Sequence, residues 1–108
     1  MSSIQNRVLT LVSDDKLLDW RVEFHKALSN PIRLRIVEDL LEGEECQCEI
    51  FPRIGLSQST VSSYLSQLVD AGILESRRDG KRKLYSISNE EIAGLLQKIK
   101  ETVESVRQ

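Results

Sequence analysis

The sequence has little of what most often announces chemistry. Its 108 residues include one histidine, two cysteines and five scattered glycines. Histidine is the usual acid–base group near neutral pH, and no serine or cysteine nucleophile is paired with one here. A glycine loop that would cradle phosphate is also missing, so nothing supports catalysis and the chain reads as a non-enzyme that requires no cofactor. No stretch approaches the roughly 20 apolar residues of a membrane span, and the first residues lack the charged-then-apolar order of a secretory signal. The expectation is a cytoplasmic protein with no membrane partner. Repeats, low-complexity tracts and linkers are absent too, which leaves one domain with one modest core.

What is present is a globular composition, 40% hydrophobic and 30% charged, with apolar residues that recur periodically. The net charge of −2 argues at first sight against a nucleic-acid partner. Only Lys and Arg close to phosphates release counterions, however, so the placement of charge matters more than its sum. The signs are segregated: residues 38–49 (EDLLEGEECQCE) are acidic and residues 77–83 (RRDGKRK) are basic.

The chain is organised around residues 56–84. Val61, Tyr64, Leu65, Leu68 and Val69 give a helix one apolar stripe. Gln58, Ser59, Ser62, Ser63, Ser66 and Gln67 give it an outer face of short uncharged donors and acceptors. Ser57 is placed to cap its start, and Gly72 to close its end. Residues 73–88 read as two short strands joined at Asp79-Gly80, with Arg77, Arg78, Lys81, Arg82 and Lys83 crowding the tip. A polar-faced helix followed by a basic hairpin suits a winged helix-turn-helix that meets a DNA duplex. Gln is suited to a bidentate contact with adenine, and Ser and Thr to base edges or phosphates. The reading face is therefore assigned to Gln58, Ser59, Thr60, Ser62 and Ser63, and phosphate or minor-groove contact to the five wing cations.

Before this stretch, Ile4, Val8, Leu11 and Val12 make a weak stripe, so residues 1–13 are expected to be an arm or short helix and 14–108 the folded domain. Ser13 or Asp14 should cap a helix whose apolar face is Leu17, Trp20, Phe24, Ala27 and Leu28. Asn30-Pro31 starts another, which buries Ile32, Ile36, Val37, Leu40 and Leu41. Residues 46–54 supply the first helix of the helix-turn-helix, beginning near Cys48 or Glu49 so that Pro52 falls in its first turn. Ser88 and Glu91 read as a capping box for a last helix with apolar positions Ile92, Leu95, Leu96, Ile99, Val103 and Val106. That stripe is longer than a small domain needs and predicts a dimer surface. The fold class is thus mainly α: a winged helix-turn-helix with a two-stranded β-hairpin wing and N- and C-terminal dimerisation helices.

The runs ALSNPIRLRIVEDLLEGEECQCEI and GLSQSTVSSYLSQLVDAGILESRRDGKRKLYSI, about residues 27–87, resemble the ArsR-type (arsenic-repressor, metal-sensing) winged-helix transcription factors. The resemblance implies a homodimer, paired through its first and last helices, that binds a double-stranded DNA operator, represses an operon and leaves when an ion or other signal binds. Phe51 stands where the arsenic-sensing pattern has a third cysteine. Ser63, Tyr64 and Ser66 stand where relatives carry an Arg-His pair and a Lys. The last helix has Asn89 and Glu91 but no histidine, so the zinc-sensing pattern is not met.

Cys46 and Cys48 lie among Glu44, Glu45, Gln47 and Glu49, where a structural disulfide is not expected. Thiolates are soft ligands, and the metal assignment is Cys46 and Cys48 with a thiophilic effector such as arsenic(III), antimony(III) or cadmium. Two sulfurs do not complete a site, so a third donor would come from His25, a carboxylate, a small thiol or the other subunit. The alternatives are a regulator of the same fold without a metal site, redox-responsive or constitutive, and a winged helix that serves as a protein-interaction module.

Overall fold

The computed structural model describes residues 15–108; the arm expected over 1–13, and the Ser13 or Asp14 cap, lie outside them. Five helices and three strands follow in order: α1 (Lys16–Leu28), α2 (Pro31–Leu40), β1 (Glu45–Cys46), α3 (Gln47–Ile54), α4 (Gln58–Asp70), β2 (Leu74–Asp79), β3 (Arg82–Ile87) and α5 (Glu90–Arg107). This is a winged helix-turn-helix, with α3 and α4 as the helix pair, residues 55–57 as the turn and β2–β3 as the wing. The wing hairpin is two-stranded as expected, but its sheet has a third strand. β1 adds to β3 in an antiparallel sheet of order β1-β3-β2, with Glu45 opposite Tyr85 and Cys46 opposite Leu84. Two residues are too few to show an alternating pattern, which is why the sequence hides this strand.

Local capping chemistry sets most boundaries. Asp15 caps α1 by accepting the Leu18 N–H at 3.0 Å. The Asn30 side chain accepts from both Ile32 and Arg33, and Pro31 occupies the first helical position as expected. α4 ends in a Schellman motif, in which Ile73 N–H reaches Leu68 O and Gly72 N–H reaches Val69 O. Gly72 takes φ 79°, and a Cβ added there would sit 3.5 Å from the Trp20 ring. The predicted Ser88 cap is displaced by one residue: Asn89 accepts the Ile92 N–H, while the Ser88 hydroxyl donates to Gly72 O at 2.6 Å. That long-range bond takes Ser88 out of the helix start and ties the wing's exit to the end of α4. The hairpin also turns one residue later than expected, at Gly80-Lys81, with Asp79 opposite Arg82.

The core is built where these elements meet. Ile36, Val37, Ile50, Val61, Leu65, Leu68 and Ile73 are fully buried, joined by Phe24, Leu74, Tyr85 and Leu96. α1 and α5 contribute less than their stripes suggest. Leu17, Trp20, Leu95, Ile99, Val103 and Val106 remain exposed, and only Leu96 of α5 is buried. His25 is exposed on α1 and lies edge-on to Phe24.

Leu65 is fully enclosed on the inner face of α4. Leu65→Ala should therefore lower the unfolding free energy by about 2–5 kcal/mol, read as a lower urea midpoint with an unchanged slope.

Candidate nucleic-acid interface

α4 presents its two faces as the stripe implies. Val61, Leu65 and Leu68 point into the core, while Gln58, Ser59, Ser63, Ser66 and Gln67 are exposed. The exposed face is uncharged until Asp70. Its first turn is held by Ser57, whose hydroxyl accepts the Thr60 N–H at 3.2 Å and donates to Thr60 Oγ1 at 2.8 Å. Thr60 is thereby tied into the cap and is half-buried, unlike Gln58, Ser59 and Ser63. The Ser63 hydroxyl accepts from Gln67 Nε2 at 3.3 Å. Ser62 is half-buried at the flank of the helix and accepts from Gln47 Nε2 at 3.0 Å. On the opposite flank the Arg33 guanidinium lies 5.2 Å from the centre of the Tyr64 ring, bringing a cation from α2 to a helix that has none of its own.

The wing divides four of its five cations between two faces and carries the fifth, Lys81, in the turn. Arg77 is opposite Leu84, Arg78 opposite Lys83 and Asp79 opposite Arg82, and directly opposed side chains share a face. Arg77 and Arg82 therefore share one face, where Arg77 makes a two-pronged pair with Glu44 at 2.7 and 2.9 Å and Arg82 lies 3.5 Å from Glu49. Arg78 and Lys83 share the other, and Lys83 Nζ sits 5.5 Å from the Tyr85 ring centre. Among the described residues no carboxylate lies within ion-pair distance of Arg78, Lys81 or Lys83. The acidic and basic runs that are segregated along the chain thus meet in space, and two of the five predicted contact cations already have carboxylate partners.

Those carboxylates belong to the cysteine segment. Cys46 ends β1 and caps α3: its Sγ accepts the Cys48 N–H at 3.1 Å, and Glu49 reaches back to the Cys46 N–H at 2.9 Å. This reciprocal cap starts α3 at Gln47, earlier than expected, and puts Pro52 in the second turn. Pro52 lacks the N–H that would continue the ladder, and the helix ends two residues later at Ile54, followed by Gly55 at φ 77°. Arg53 holds the segment from behind, donating to Glu45 at 2.8 and 2.9 Å and to Asp39 at 3.1 Å. The Glu45 hydrogen bonds raise its pKa.

The two sulfurs are bonded to each other, against the expectation of a free cysteine pair. Cys46 is 2% exposed, whereas Cys48 is open to solvent. Once reduced they would offer two soft donors. Among the described residues, no group of three or more His, Cys, Asp and Glu side chains is gathered to hold a metal. The described part of one protomer therefore does not complete the predicted metal site. Gln47, Glu44, Glu49 and Arg33 make contacts that the sequence did not reveal. Only the charge segregation hinted at any of them, because each contact joins residues far apart in the chain.

Glu44 titrates below the usual carboxylate range, chiefly because Arg77 donates to it. A lowered folded pKa means that the tie is present above the ordinary carboxylate pKa and is lost as pH falls through the lowered value. An NMR pH titration should find the Glu44 carboxyl low, and Arg77→Ala should move it upward.

Comparison with known proteins bears on the same segments. The family model for bacterial regulatory proteins of the arsR family matches residues 30–76. A probable mercury resistance operon repressor from Streptomyces lividans is 40% identical over 78 residues, covering 72% of this chain and 62% of that protein, so the chain spans under two thirds of this relative's length. The crystal structure of Rv0081 from Mycobacterium tuberculosis matches with TM-score 0.76 and 36% identity, over 84% of this chain and 92% of that one. The homodimeric winged helix-turn-helix DNA-binding domain of a possible ArsR-family regulator from Mycobacterium bovis matches with TM-score 0.79 and 35% identity, over 85% and 87% of the two chains. In sequence, helix order and wing, the chain belongs to the ArsR family of bacterial regulatory proteins, which are transcriptional regulators and not enzymes.

Proposed function

We propose that the chain is a homodimeric, sequence-specific DNA-binding transcriptional regulator, a repressor by default, acting in the cytoplasm on a two-fold operator. The observation that carries this is the uncharged polar face of α4 set beside a wing whose Arg78, Lys81 and Lys83 have no carboxylate partner among the described residues. In the helix-turn-helix geometry the N-terminal part of the second helix approaches base edges. Gln58, Ser59, Ser62 and Ser63 are the contacts proposed there; Thr60 acts through the cap. The wing supplies most of the attraction to phosphate. The exposed apolar residues Leu17, Trp20, Leu95, Ile99, Val103 and Val106 on α1 and α5 are what a second copy would cover, and this pairing presents two recognition helices to one duplex.

The effector is assigned to the cysteine segment. Cys46 caps α3, Gln47 touches α4, and Glu44 and Glu49 touch the wing, so a change at the sulfurs bears on both DNA-contacting elements. With the thiols reduced, a thiophilic ion such as arsenic(III), antimony(III) or cadmium is the proposed inducer, with a donor from a small thiol or the other subunit. The relative named for mercury resistance favours that chemistry. The bond between the sulfurs favours a second reading, in which oxidation and reduction of Cys46 and Cys48 set operator affinity. Either coupling is expected to be about 1–3 kcal/mol.

Two measurements test these assignments. Replacing Arg78, Lys81 and Lys83 by Ala should weaken duplex binding across sequences and reduce the log–log salt slope by about 0.9 for each phosphate no longer neutralised. Replacing Arg77 and Arg82 should do less. Arsenite or cadmium should release the reduced dimer from its operator, and Cys46→Ser with Cys48→Ser should abolish release. Release that persists in the double variant removes the site from these cysteines, and a response to reductant alone selects the redox reading.

A further inference from the structure

We infer that Gln47 is a positioning residue that biases the hydrogen-bond polarity of Ser62 toward donating and so influences which base edge that hydroxyl reads; this rests on the DNA-binding reading above. Gln47 is the first residue of α3 and Ser62 the fifth of α4, and the amide Nε2 donates to Ser62 Oγ at 3.0 Å across fifteen positions of sequence. A serine hydroxyl has one proton to give and two lone pairs to receive. Gln47 occupies a lone pair, and among the described residues the Ser62 proton finds no acceptor. One lone pair and the proton remain, and because accepting a hydrogen bond strengthens the O–H as a donor, the hydroxyl is biased toward donating to a ligand.

Donor polarity carries sequence information. In the major groove guanine N7 and O6, adenine N7 and thymine O4 accept, whereas cytosine N4 and adenine N6 donate. A Ser62 hydroxyl biased toward donating favours guanine or thymine over cytosine at the base it meets. Ser62 is half-buried at the flank of α4, which limits how far it can turn to escape this bias. Gln47 is itself well anchored. The Cys46 cap and the Glu49 reach-back fix its backbone, and its two neighbours in sequence are bonded to each other. Ser59 is exposed, and among the described residues its hydroxyl meets only Ser57, at 3.3 Å, with no such cross-helix constraint.

The test begins with the parent homodimer selecting its preferred site from randomised duplexes. Binding of all single-base variants of that site is then measured for the parent, Gln47→Glu, Gln47→Leu and Ser62→Ala, each normalised to its own best duplex. At one position per half-site the parent should favour guanine or thymine over cytosine, by about 5-fold for one neutral hydrogen bond. Gln47→Glu introduces a carboxylate that takes the Ser62 proton, and should shift the preference toward cytosine at that position alone. Gln47→Leu and Ser62→Ala should flatten it, and Gln47→Glu should have no further effect on the Ser62→Ala background. Circular-dichroism melts confirm that each variant is folded. An unchanged profile in Gln47→Glu overturns the inference, as does a shift that survives in Ser62→Ala, which would mean that residue 47 reads the base directly. Failure of the parent to select any duplex removes the DNA-binding reading and this inference with it.

Discussion

Cys46 is where the wing and the helix-turn-helix are fixed to one another. Its backbone pairs with Leu84 in the sheet, its sulfur caps the helix that follows, and its N–H is taken by Glu49. A residue that is both the last of a strand and the N-cap of a helix leaves no slack between the two elements. Arg53 then closes the arrangement from the other side by bridging Glu45 of β1 and Asp39 of α2. The ion pairs are surface interactions of small individual worth. Their effect here is geometric, because they connect elements that the buried core positions only in part.

The parts of the fold that sequence revealed are those specified within a few residues. Asn30-Pro31, Ser57 and Gly72 each act on backbone groups next to them, and each sits where its chemistry implies. Two of the misplacements come from partners distant in sequence. Ser88 has the composition of an N-cap but is claimed by Gly72, sixteen positions away. β1 exists because β3 is there to pair with it. α3 starts early because a cysteine, an unusual cap, is backed by Glu49. For the interface, the residue types on α4 and in the wing were visible in the sequence. What sequence could not show was which of them are already engaged: Thr60 by Ser57, Ser62 by Gln47, Arg77 by Glu44.

That occupancy changes how the interface divides its tasks. With Ser63, Tyr64 and Ser66 in place of basic residues, α4 has little attraction of its own for phosphate. In the proposed interface, Arg33 over Tyr64 and the open cations of the wing would supply it from neighbouring elements. On the proposed reading, affinity and sequence preference reside in different parts of the fold. The cysteine segment touches both, since its glutamates meet the wing and its glutamine meets the helix.

The chain contains one tryptophan, and its location has an optical consequence. Trp20 stacks on Phe24 at 5.3 Å between ring centres and lies close against Gly72, the residue that ends α4. It is also 47% exposed, on the apolar face of α1 that a second copy would cover. Its emission is thus an intrinsic signal, needing no label, for two events at once: solvent leaving α1 as copies associate, and displacement of the C-terminal end of the recognition helix beneath the indole.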